Sequence, residues 1–306
     1  MREQRFSAPG KVVLSGEYAV LRGAPAVAAA VDRRAAVAVE PGDSETICIG
    51  LDGRTDTGLL DCVLEALGRE LPDARLTLNT AAFIDGSNKF GLGSSAALAV
   101  ALAAALAPDG PGGNRLLDAA QEAHRAFQQG RGSGVDVAAS WAGGIIVYRM
   151  QDAATQSISW PAGLHYALFW TGTSVSTTER VTRFDASADL PATNVFCDAA
   201  EEIAGMWQSG DPEKLLSGYR SYMDALTRFD GAHGLGIFDG GHADLTLAEP
   251  DLIYKPCGAG GGDVGIALST DRNRLNRFAA RAAERGVLRL DVELDPRGVG
   301  EDSAGV

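Results

Sequence analysis

The chain has 306 residues, 45% hydrophobic and 22% charged, which suits a globular protein with a sizeable core and allows two domains. Its net charge of −13 at pH 7 argues against nucleic-acid binding, because contact with phosphates needs a basic surface. The N-terminus lacks a signal-type apolar core, and the most apolar run, Ala96–Ala107, is roughly half the ~20 residues of a membrane span. We therefore expect a cytoplasmic protein with no membrane partner.

The predicted elements mix strands and helices along the whole chain. Strands are predicted at Lys11–Leu14, Ala35–Glu40, Thr46–Ile49, Arg75–Asn79, Gly143–Met150, His165–Thr171, Val264–Ser269 and Val287–Leu294. Helices are predicted at Gly58–Glu70, Ser94–Leu106, Asn114–Gln129, Thr177–Phe184, Asn194–Gln208, Pro212–Arg228 and Asp271–Arg285. Because the two kinds of element do not alternate strictly, an α+β fold is favoured over a doubly wound sheet. The run Trp160–Gly163 is typical of a domain seam and predicts a division into residues 1–162 and 163–306.

Cysteines and lysines are few, and their positions are informative. The cysteines, Cys48, Cys62, Cys197 and Cys257, are scattered and never form a CxxC pair, which favours buried reduced thiols over disulfides or a zinc site. Three of the four lysines lie in or beside glycine-rich segments. A compact ammonium beside a glycine-rich loop suits a phosphate oxygen, so these segments are candidate anion sites. The lysines are Lys11, Lys89, Lys214 and Lys255.

The first glycine-rich segment is Ser7-Ala-Pro-Gly-Lys11, which leads to Ser15-Gly-Glu-Tyr18. A strand that ends at Pro-Gly can bring its backbone and Lys11 close to a ligand. On its own, the segment is better explained as a turn with a solvated lysine.

The second segment runs from Ser87 to Ala97 as Ser-Asn-Lys-Phe-Gly-Leu-Gly-Ser-Ser-Ala-Ala. Its two glycines permit backbone angles and close approaches that other residues resist, and Ser94 and Ser95 open an alanine-rich helix. The free amides and dipole of a helix N-terminus favour an anion there. Lys89 could neutralise a phosphate oxygen, and a serine hydroxyl could ligate magnesium. The alternative is a helix with a flexible start and a serine N-cap; no GxxxxGK[ST] P-loop occurs in the chain.

The third segment is Gly130-Arg-Gly-Ser-Gly-Val-Asp136. Asp136 could act on a substrate hydroxyl as a base or an electrostatic orienter, although a loop aspartate in an Asx-turn is the simpler interpretation. Arg131 could bind a substrate anion or be solvated. The fourth segment, Lys255-Pro-Cys-Gly-Ala-Gly-Gly-Gly-Asp-Val-Gly265, contains a formal GxGxxG. We reject a dinucleotide site, because a strand and not a helix is predicted after it, and expect the loop amides to face a substrate or phosphate.

Taken together and in this order, the four segments resemble the GHMP kinase superfamily, which includes galactokinase, homoserine kinase, mevalonate kinase and phosphomevalonate kinase. Within it, the chain is most similar to bacterial-type phosphomevalonate kinases. Lys255–Asp263 resembles their KPSGAGGGD, where mevalonate kinases usually carry Gly in place of Asp263, and Gly132–Ala139 resembles their GSGFDVAAA. Trp170-Thr-Gly172 with Ser176-Thr177 also fits that family, whereas galactokinase's GEHTD is absent.

The resemblance implies roles for particular residues. Asp136 would be the catalytic carboxylate and Lys11 its partner, stabilising the transferred charge. ATP would bind the second segment and Mg²⁺ would contact Ser95. The implied ATP-binding residues are Lys89, Gly91, Leu92, Gly93, Ser94 and Ser95. The implied substrate-binding residues are Ser15, Glu17, Tyr18, His124, Arg131, Ser133, Lys255, Gly258, Ala259 and Gly260.

The resemblance also implies a fold and an activity. The fold would be a two-domain α+β arrangement, with an ATP-binding domain of the ribosomal protein S5 domain 2-like type (residues 1–162) and a ferredoxin-like domain (residues 163–306), and an active site in the cleft. The reaction would be ATP-dependent phosphorylation of 5-phosphomevalonate to 5-diphosphomevalonate, by a monomer or homodimer. Mevalonate or another alcohol as acceptor, an ATP-dependent decarboxylase and a non-catalytic nucleotide-binding protein stay open as alternatives. Two departures stand out: Cys257 replaces the family's Ser, and Arg125 stands where mevalonate kinases carry a magnesium-binding Glu.

Overall fold

The structure is a computed structural model that describes residues 3–50, 53–86, 88–107, 114–173, 177–185, 191–246 and 252–302. Two residues of the sequence motifs, Ser87 and Ser176, lie outside these ranges. The strands are β1 Gln4–Ser15, β2 Ala26–Glu40, β3 Glu45–Ile49, β4 Arg75–Asn79, β5 Ile84–Asp85, β6 Asn88–Lys89, β7 Ile145–Arg149, β8 Ala154–Ile158, β9 His165–Trp170, β10 Ile253–Pro256, β11 Val264–Ser269, β12 Leu288–Leu290 and β13 Gly300–Glu301. The helices are α1 Gly53–Leu67, α2 Ser94–Ala105, α3 Asn114–Phe127, α4 Val135–Ala142, α5 Thr177–Asp185, α6 Pro191–Ser209, α7 Pro212–His233, α8 His242–Thr246 and α9 Arg272–Glu284. Within the described ranges, none of these helices is both long and apolar enough to cross a membrane.

The chain forms two compact units, and each of them is discontinuous in sequence. The first unit comprises Met1–Lys11, Ala29–Gly144 and Glu293–Val306, and the second comprises Val12–Ala28 and Ile145–Val292. Strand β1 therefore begins in the first unit and ends in the second. The α+β fold class is confirmed, because helices and mainly antiparallel strands occur in both units. The predicted domain division after residue 162 stays a prediction, since compact packing does not by itself define the family's domains.

The first unit is built on strands that hydrogen-bond in the order β13-β1-β2-β4-β3. All of the registered pairs among them are antiparallel except β3 with β4. Helix α2 packs against α1, α3 and α4, and nearly all of its residues from Ala96 to Ala104 are fully buried. Its alanine-rich sequence explains this position, because small side chains let neighbouring helices approach from several sides.

The second unit contains an antiparallel sheet of order β10-β11-β9-β12. Helix α9 packs on this sheet through Phe278, whose ring lies 5.1 Å from that of Phe169. Helices α6 and α7 pack along each other, and Phe196 and Phe229 stack between them at 4.7 Å. Asp211 begins α7, because its Oδ1 accepts hydrogen bonds from the amides of Glu213 and Lys214.

Some differences from the predicted elements are extensions, since β2 begins at Ala26 where the strand was predicted from Ala35; others occur at glycine-rich or short segments. Helix α4 was missed because eight residues flanked by glycines carry little periodicity. Strand β10 was missed for a similar reason, since Pro256 and the following glycines indicate a turn. The predicted strand Val287–Leu294 is shorter than expected, at Leu288–Leu290. The Trp160–Gly163 run forms a turn inside the second unit, where Trp160 Nε1 donates to the Leu164 carbonyl at 2.7 Å.

Candidate active site

The first glycine-rich segment places Lys11 directly over the second. Lys11 N donates to the carbonyl of Leu92 at 2.8 Å, which fixes β1 against the loop before α2. A Cβ added to Gly93 would lie 2.8 Å from Lys11 Cε, closer than packed carbons approach. Gly93 also has φ +79°, an angle that favours glycine. Glycine at position 93 therefore permits both the positive φ of the turn and the close approach of the Lys11 side chain.

The second segment forms a turn and then a helix, as the sequence predicts. Gly91 has φ +74°, Leu92 is fully buried, and Gly93 is the N-cap of α2 with no side-chain cap. The alternative of a serine N-cap is therefore wrong. Ser94 and Ser95 are the first two helical residues, and their hydroxyls are not used as caps. The helix N-terminus can offer backbone amides to an anion at this point.

Lys89 lies on the short hairpin of β5 and β6, paired with Ile84. Its side chain is exposed, and its charge lowers the pKa of His124 slightly beside the larger effect of burial. The structure thus brings two cations, Lys11 and Lys89, near the start of α2.

Asp136 and Lys11 form an ion pair in which Lys11 Nζ lies 3.3 Å from Asp136 Oδ2. Asp136 stands in the first turn of α4, after Gly134 at φ +81°. Ser133 Oγ accepts the amide hydrogen of Val135 at 3.3 Å, which helps to begin that helix. The lysine side chain is 10% exposed and the aspartate 28%, so the carboxylate is more accessible to a ligand than the ammonium.

His124 lies in the last turn of α3, and its Nε2 is 3.0 Å from Ser95 Oγ. Burial lowers the pKa of His124 to about 4; Asp136 raises it, and Lys11 and Lys89 lower it further. The imidazole is therefore neutral at pH 7 and has one donor and one acceptor nitrogen. Arg125, where mevalonate kinases carry an acidic residue, is exposed. The residue of α3 that contacts Ser95 is thus His124.

The side chains of the first unit fit a magnesium ion whose ligands are mainly water and substrate phosphate oxygens. Ser95 Oγ and the carboxylate of Asp136 are hard oxygen donors. No group of three or more His, Cys, Asp or Glu residues able to hold a metal occurs in the described part of the chain. Mg²⁺ typically keeps waters and substrate phosphates in its shell and needs only one or two protein oxygens.

In the second unit, Glu17 and Lys255 form a fully buried ion pair. Lys255 is 0% exposed and Glu17 is 3% exposed, and Lys255 Nζ donates to Glu17 Oε1. The same ammonium donates to the carbonyls of Pro256 at 2.6 Å and Val13 at 3.5 Å. An ammonium has three donor hydrogens, and these acceptors number three. The sequence predicted a substrate contact for Lys255, whereas the structure gives its ammonium a complete set of internal partners.

Two tyrosines of α7 complete the network around Glu17. Tyr222 OH donates to Glu17 Oε2 and accepts the amide hydrogen of Gly16 at 2.8 Å. Tyr219 OH donates to the carbonyl of Leu14 at 2.9 Å. Burial raises the pKa of both phenols well above the usual value, so both stay protonated. These bonds fix the end of β1, where the predicted substrate residues Ser15, Glu17 and Tyr18 lie.

Tyr18 links this turn to the fourth glycine-rich segment. Its OH donates to the carbonyl of Ala259 at 2.8 Å, and its ring packs 5.5 Å from Phe184 and 5.8 Å from Phe229. Its backbone has φ +56°, which is unusual for an aromatic residue. Burial raises its pKa, while the charge of Arg180 acts in the opposite direction. Ser15 is also buried, and its Oγ has no hydrogen-bond partner within the described ranges.

The fourth segment forms a loop between β10 and β11, which confirms that it does not open a helix. Gly258, Gly260 and Gly261 have φ of +65°, +69° and +73°. Gly261 N donates to the carbonyl of Ile237 at 2.7 Å. His242 holds the far end of the loop, because its Nε2 lies 2.9 Å from the Gly262 carbonyl, so this nitrogen must donate. Cys257 is buried at the start of the loop.

The predicted residues therefore fall into two sets. The first unit holds the predicted catalytic pair and the predicted ATP residues, together with His124, Arg131 and Ser133, the last two partly buried in the loop before α4. The second unit holds the remaining predicted substrate residues around Glu17 and the Gly258–Gly262 loop. Sequence reasoning missed Tyr219, Tyr222, Arg180 and His242. No spacing signal could have found them, since they lie far from their partners in sequence.

Comparison with known proteins identifies the family to which the chain belongs. Residues 58–144, which include the α2 loop and Asp136, match the family model described as "GHMP kinases N terminal domain". A relative from Streptomyces sp. (strain CL190) is 30% identical over 335 aligned positions, covering 85% of this chain and 88% of the relative. The chain therefore belongs to the GHMP kinases, and its class is that of a phosphotransferase of the kinase type.

Individual relatives are named for two related activities. The Streptomyces relative is a phosphomevalonate kinase, and an Archaeoglobus fulgidus relative, 35% identical over 92% of this chain and 98% of its own length, is a mevalonate kinase. Among solved structures, Streptococcus pneumoniae phosphomevalonate kinase in complex with phosphomevalonate and AMPPNP has a TM-score of 0.81 at 20% identity, covering 95% of this chain and 99% of that one. At that identity the likeness shows the fold.

Proposed function

We propose that this chain catalyses ATP-dependent phosphorylation of 5-phosphomevalonate to 5-diphosphomevalonate. The observation that carries the phosphoryl-transfer part is the Lys11–Asp136 pair at the glycine-rich start of a buried helix. The choice of acceptor is supported by the Streptomyces relative, which is named a phosphomevalonate kinase and aligns over most of both chains.

In this proposal the terminal phosphate of the acceptor attacks the γ-phosphorus of ATP directly. One phosphate oxygen forms the new P–O bond, the bond between the γ-phosphorus and the bridging oxygen breaks, and ADP leaves with that electron pair. Asp136 accepts the proton when the attacking phosphate is a monoanion. Lys11 stabilises the negative charge on the transferred group. Such transfer needs positioning and charge stabilisation more than covalent help.

The nucleotide would bind at the start of α2. The loop of Gly91, Leu92 and Gly93 lets phosphates approach the backbone, and the helix amides of Ser94 and Ser95 face the same end. Lys89 would neutralise a phosphate oxygen. Mg²⁺, when bound, would neutralise phosphate charge, with Ser95 Oγ as its protein contact and His124 accepting or donating one hydrogen bond at that hydroxyl.

In the first unit, Arg131 and Ser133 are proposed acceptor contacts. In the second unit, the proposed acceptor contacts are Tyr18 and the Gly258–Gly260 loop. In this proposal Lys255 would contact Glu17 and not the acceptor. Its charge would hold Glu17, and through Glu17 the turn that carries Ser15 and Tyr18, in place.

Mevalonate is the second candidate acceptor, because several relatives that align over most of the chain are named mevalonate kinases. Asp263 bears on this choice. It has φ +55°, an angle that glycine adopts freely and aspartate less so. Mevalonate kinases usually carry Gly here, so the backbone alone does not require aspartate. Asp263 therefore favours 5-phosphomevalonate through the resemblance of Lys255–Asp263 to the phosphomevalonate kinase motif.

The decisive experiment measures ADP release by the purified chain with ATP and Mg²⁺ across a panel of acceptors, with carbon dioxide followed in parallel. The panel holds mevalonate, 5-phosphomevalonate, 5-diphosphomevalonate, homoserine and galactose. We expect strong turnover with 5-phosphomevalonate alone and no carbon dioxide. Turnover only with mevalonate would replace the acceptor, carbon dioxide release would indicate a decarboxylase, and ATP binding without turnover would indicate a non-catalytic protein.

A further inference from the structure

Arg180 lies on α5, and none of the sequence motifs includes it. Its Nη1 donates to the carbonyls of Leu235 and Gly236, the latter at 2.9 Å, so the side chain is fixed at one edge by backbone acceptors. The residue is partly buried. The guanidinium is thus held in one orientation, as a recognition site requires.

The guanidinium lies directly against the Gly258–Gly262 loop. A Cβ built on Gly261 would lie 1.8 Å from Arg180 Nη2 and 2.6 Å from Nη1, so a larger residue at position 261 would displace the guanidinium. The charge of Arg180 lowers the pKa of Tyr18, against the larger effect of burial, and Tyr18 OH donates to Ala259 O. Arg180, Tyr18 and the loop therefore form one contact cluster inside the second unit.

The charge of Arg180 has no carboxylate partner within the described ranges. Lys255, the buried cation at the start of the same loop, differs from Arg180 because Glu17 neutralises its charge. Asp230 Oδ1 accepts the amide hydrogen of Ile237 at 3.0 Å. A partly buried, uncompensated guanidinium loses hydration without gaining a counter-ion. An anionic ligand would supply that counter-ion.

The loop itself provides a second and independent indication of an anion. Within the described part of the chain, the backbone amides of Gly258 and Ala259 have no hydrogen-bond acceptor. Positive φ at Gly258 and Gly260 is the geometry in which successive amides can converge on an oxyanion. These residues directly precede Gly261, where the guanidinium makes its contact.

We infer that Arg180 and the amides of Gly258 and Ala259 bind an oxyanion group of the acceptor. This rests on the proposed function, which supplies an acceptor that carries both a carboxylate and a phosphate. The planar fork of an arginine matches either group with two parallel hydrogen bonds. Arg180 is then a specificity-determining residue, because it rejects acceptors that lack the matching charge.

The test compares Arg180→Gln and Arg180→Lys with the matched control Arg183→Gln. Arg183 lies one turn later on α5, is exposed, and approaches the Gly234 carbonyl at 3.4 Å. Binding of 5-phosphomevalonate to the full chain is measured by calorimetry. We expect Arg180→Gln to raise the dissociation constant about 10- to 100-fold, the range for a lost charge-assisted bond. Arg180→Lys should show a smaller loss, and Arg183→Gln should match the wild type.

Two partial probes identify the group that is bound. Mevalonate carries only the carboxylate, and isopentenyl phosphate carries only the phosphate. If the carboxylate is bound, Arg180→Gln weakens mevalonate binding and leaves isopentenyl phosphate unaffected; the reverse pattern assigns the phosphate. Either pattern supports the inference.

Other results would overturn it. Unchanged binding of all three compounds by Arg180→Gln, with wild-type binding intact, would remove Arg180 from the site while the proposed function stands. An equal loss of ATP affinity and melting temperature in both Arg180 variants would make the residue a structural support only. A wild-type chain that binds none of the three compounds would overturn the proposed function and this inference together.

Discussion

Lys11 Nζ lies 3.3 Å from Asp136 Oδ2, although the two residues belong to motifs in different parts of the chain. Strand β1 carries the lysine and the first turn of α4 carries the aspartate. Both residues are fixed by glycines, because Gly93 leaves space for the lysine and Gly134 begins the helix at φ +81°. The pair is thus positioned by backbone geometry before any ligand binds.

Asp136→Asn tests the carboxylate of this pair. The amide keeps the side chain's size but cannot accept a proton, and it removes the charge beside Lys11. We expect turnover to fall about 10²- to 10⁴-fold with little change in ATP affinity, measured by ADP release and by calorimetry. Asp118→Asn, on the exposed side of α3, is the control and should keep wild-type turnover. Near-normal activity of Asp136→Asn would remove Asp136 from the mechanism.

Gly93→Ala tests whether glycine is needed for the approach of Lys11. The new methyl group would lie 2.8 Å from Lys11 Cε at a residue with φ +79°, so the lysine side chain must move. Gly68→Ala is the matched control, because Gly68 has φ +62° but nothing within 4 Å of its Cβ. We expect both variants to lose about 1 kcal/mol of stability from backbone strain.

Only Gly93→Ala should also lower turnover, by 10-fold or more, as about 1.4 kcal/mol of lost transition-state stabilisation would do. Chemical denaturation and ADP release are the two measurements. Equal turnover in both variants would contradict a specific requirement for glycine at position 93.

Lys255→Met tests the buried ion pair with Glu17. The substitution leaves a carboxylate buried without its partner, which costs about 3–5 kcal/mol of unfolding free energy. The double variant Glu17→Gln/Lys255→Met removes both charges and should be less destabilised than Lys255→Met alone. Urea denaturation of both variants, with exposed Lys214→Met as control, measures this.

The control should differ from the wild type by less than about 0.5 kcal/mol. If the single and double variants were equally unstable, the charge of Glu17 would not be the source of the loss, and packing of the lysine chain would be.

His242 predicts a pH dependence of stability. Burial lowers its pKa to about 4, below the usual 6.5, despite the opposing bond to the Gly262 carbonyl. Between these values the unfolded chain binds more protons than the folded chain, so this contribution to stability is present above pH 6.5 and is lost as the pH falls towards 4. The full effect is about 3 kcal/mol.

His242→Gln removes the titrating group, so its stability should fall less steeply than that of the wild type between pH 6.5 and 4. Urea denaturation across this range gives the difference between the two curves. Parallel curves would show that His242 does not contribute to the acid sensitivity.

Several features of this chain could be predicted because they depend on residues that are close in sequence. Helix α2 was predicted within one residue of its end, since an alanine-rich run after Gly-Leu-Gly-Ser-Ser has few alternatives. The strand after the fourth segment was also predicted, because Val264–Ser269 alternates apolar residues after a cluster of glycines. Rejection of the dinucleotide site followed from that strand alone.

Other features could not be predicted, because they depend on partners far away in the chain. Arg125 and His124 are neighbours on α3, yet only His124 faces Ser95, and the turn of the helix decides which one. Lys255 was predicted as a cation for the substrate on the strength of its motif. Its burial against Glu17 depends on the packing of α7, β1 and β10, which no local pattern records.

The sequence by itself determined the class of the protein. Its four glycine-rich segments, with their lysines and Asp136, occur in an order that few other protein families share. The tertiary structure decided which charges are available to a ligand. Lys11, Lys255 and Arg180 carry the same charge in the sequence, but one faces an accessible carboxylate, one is sealed by a buried glutamate and one lacks a carboxylate partner within the described ranges. The availability of each cation to a ligand depends on its burial and on its distance from a carboxylate, and folding determines both.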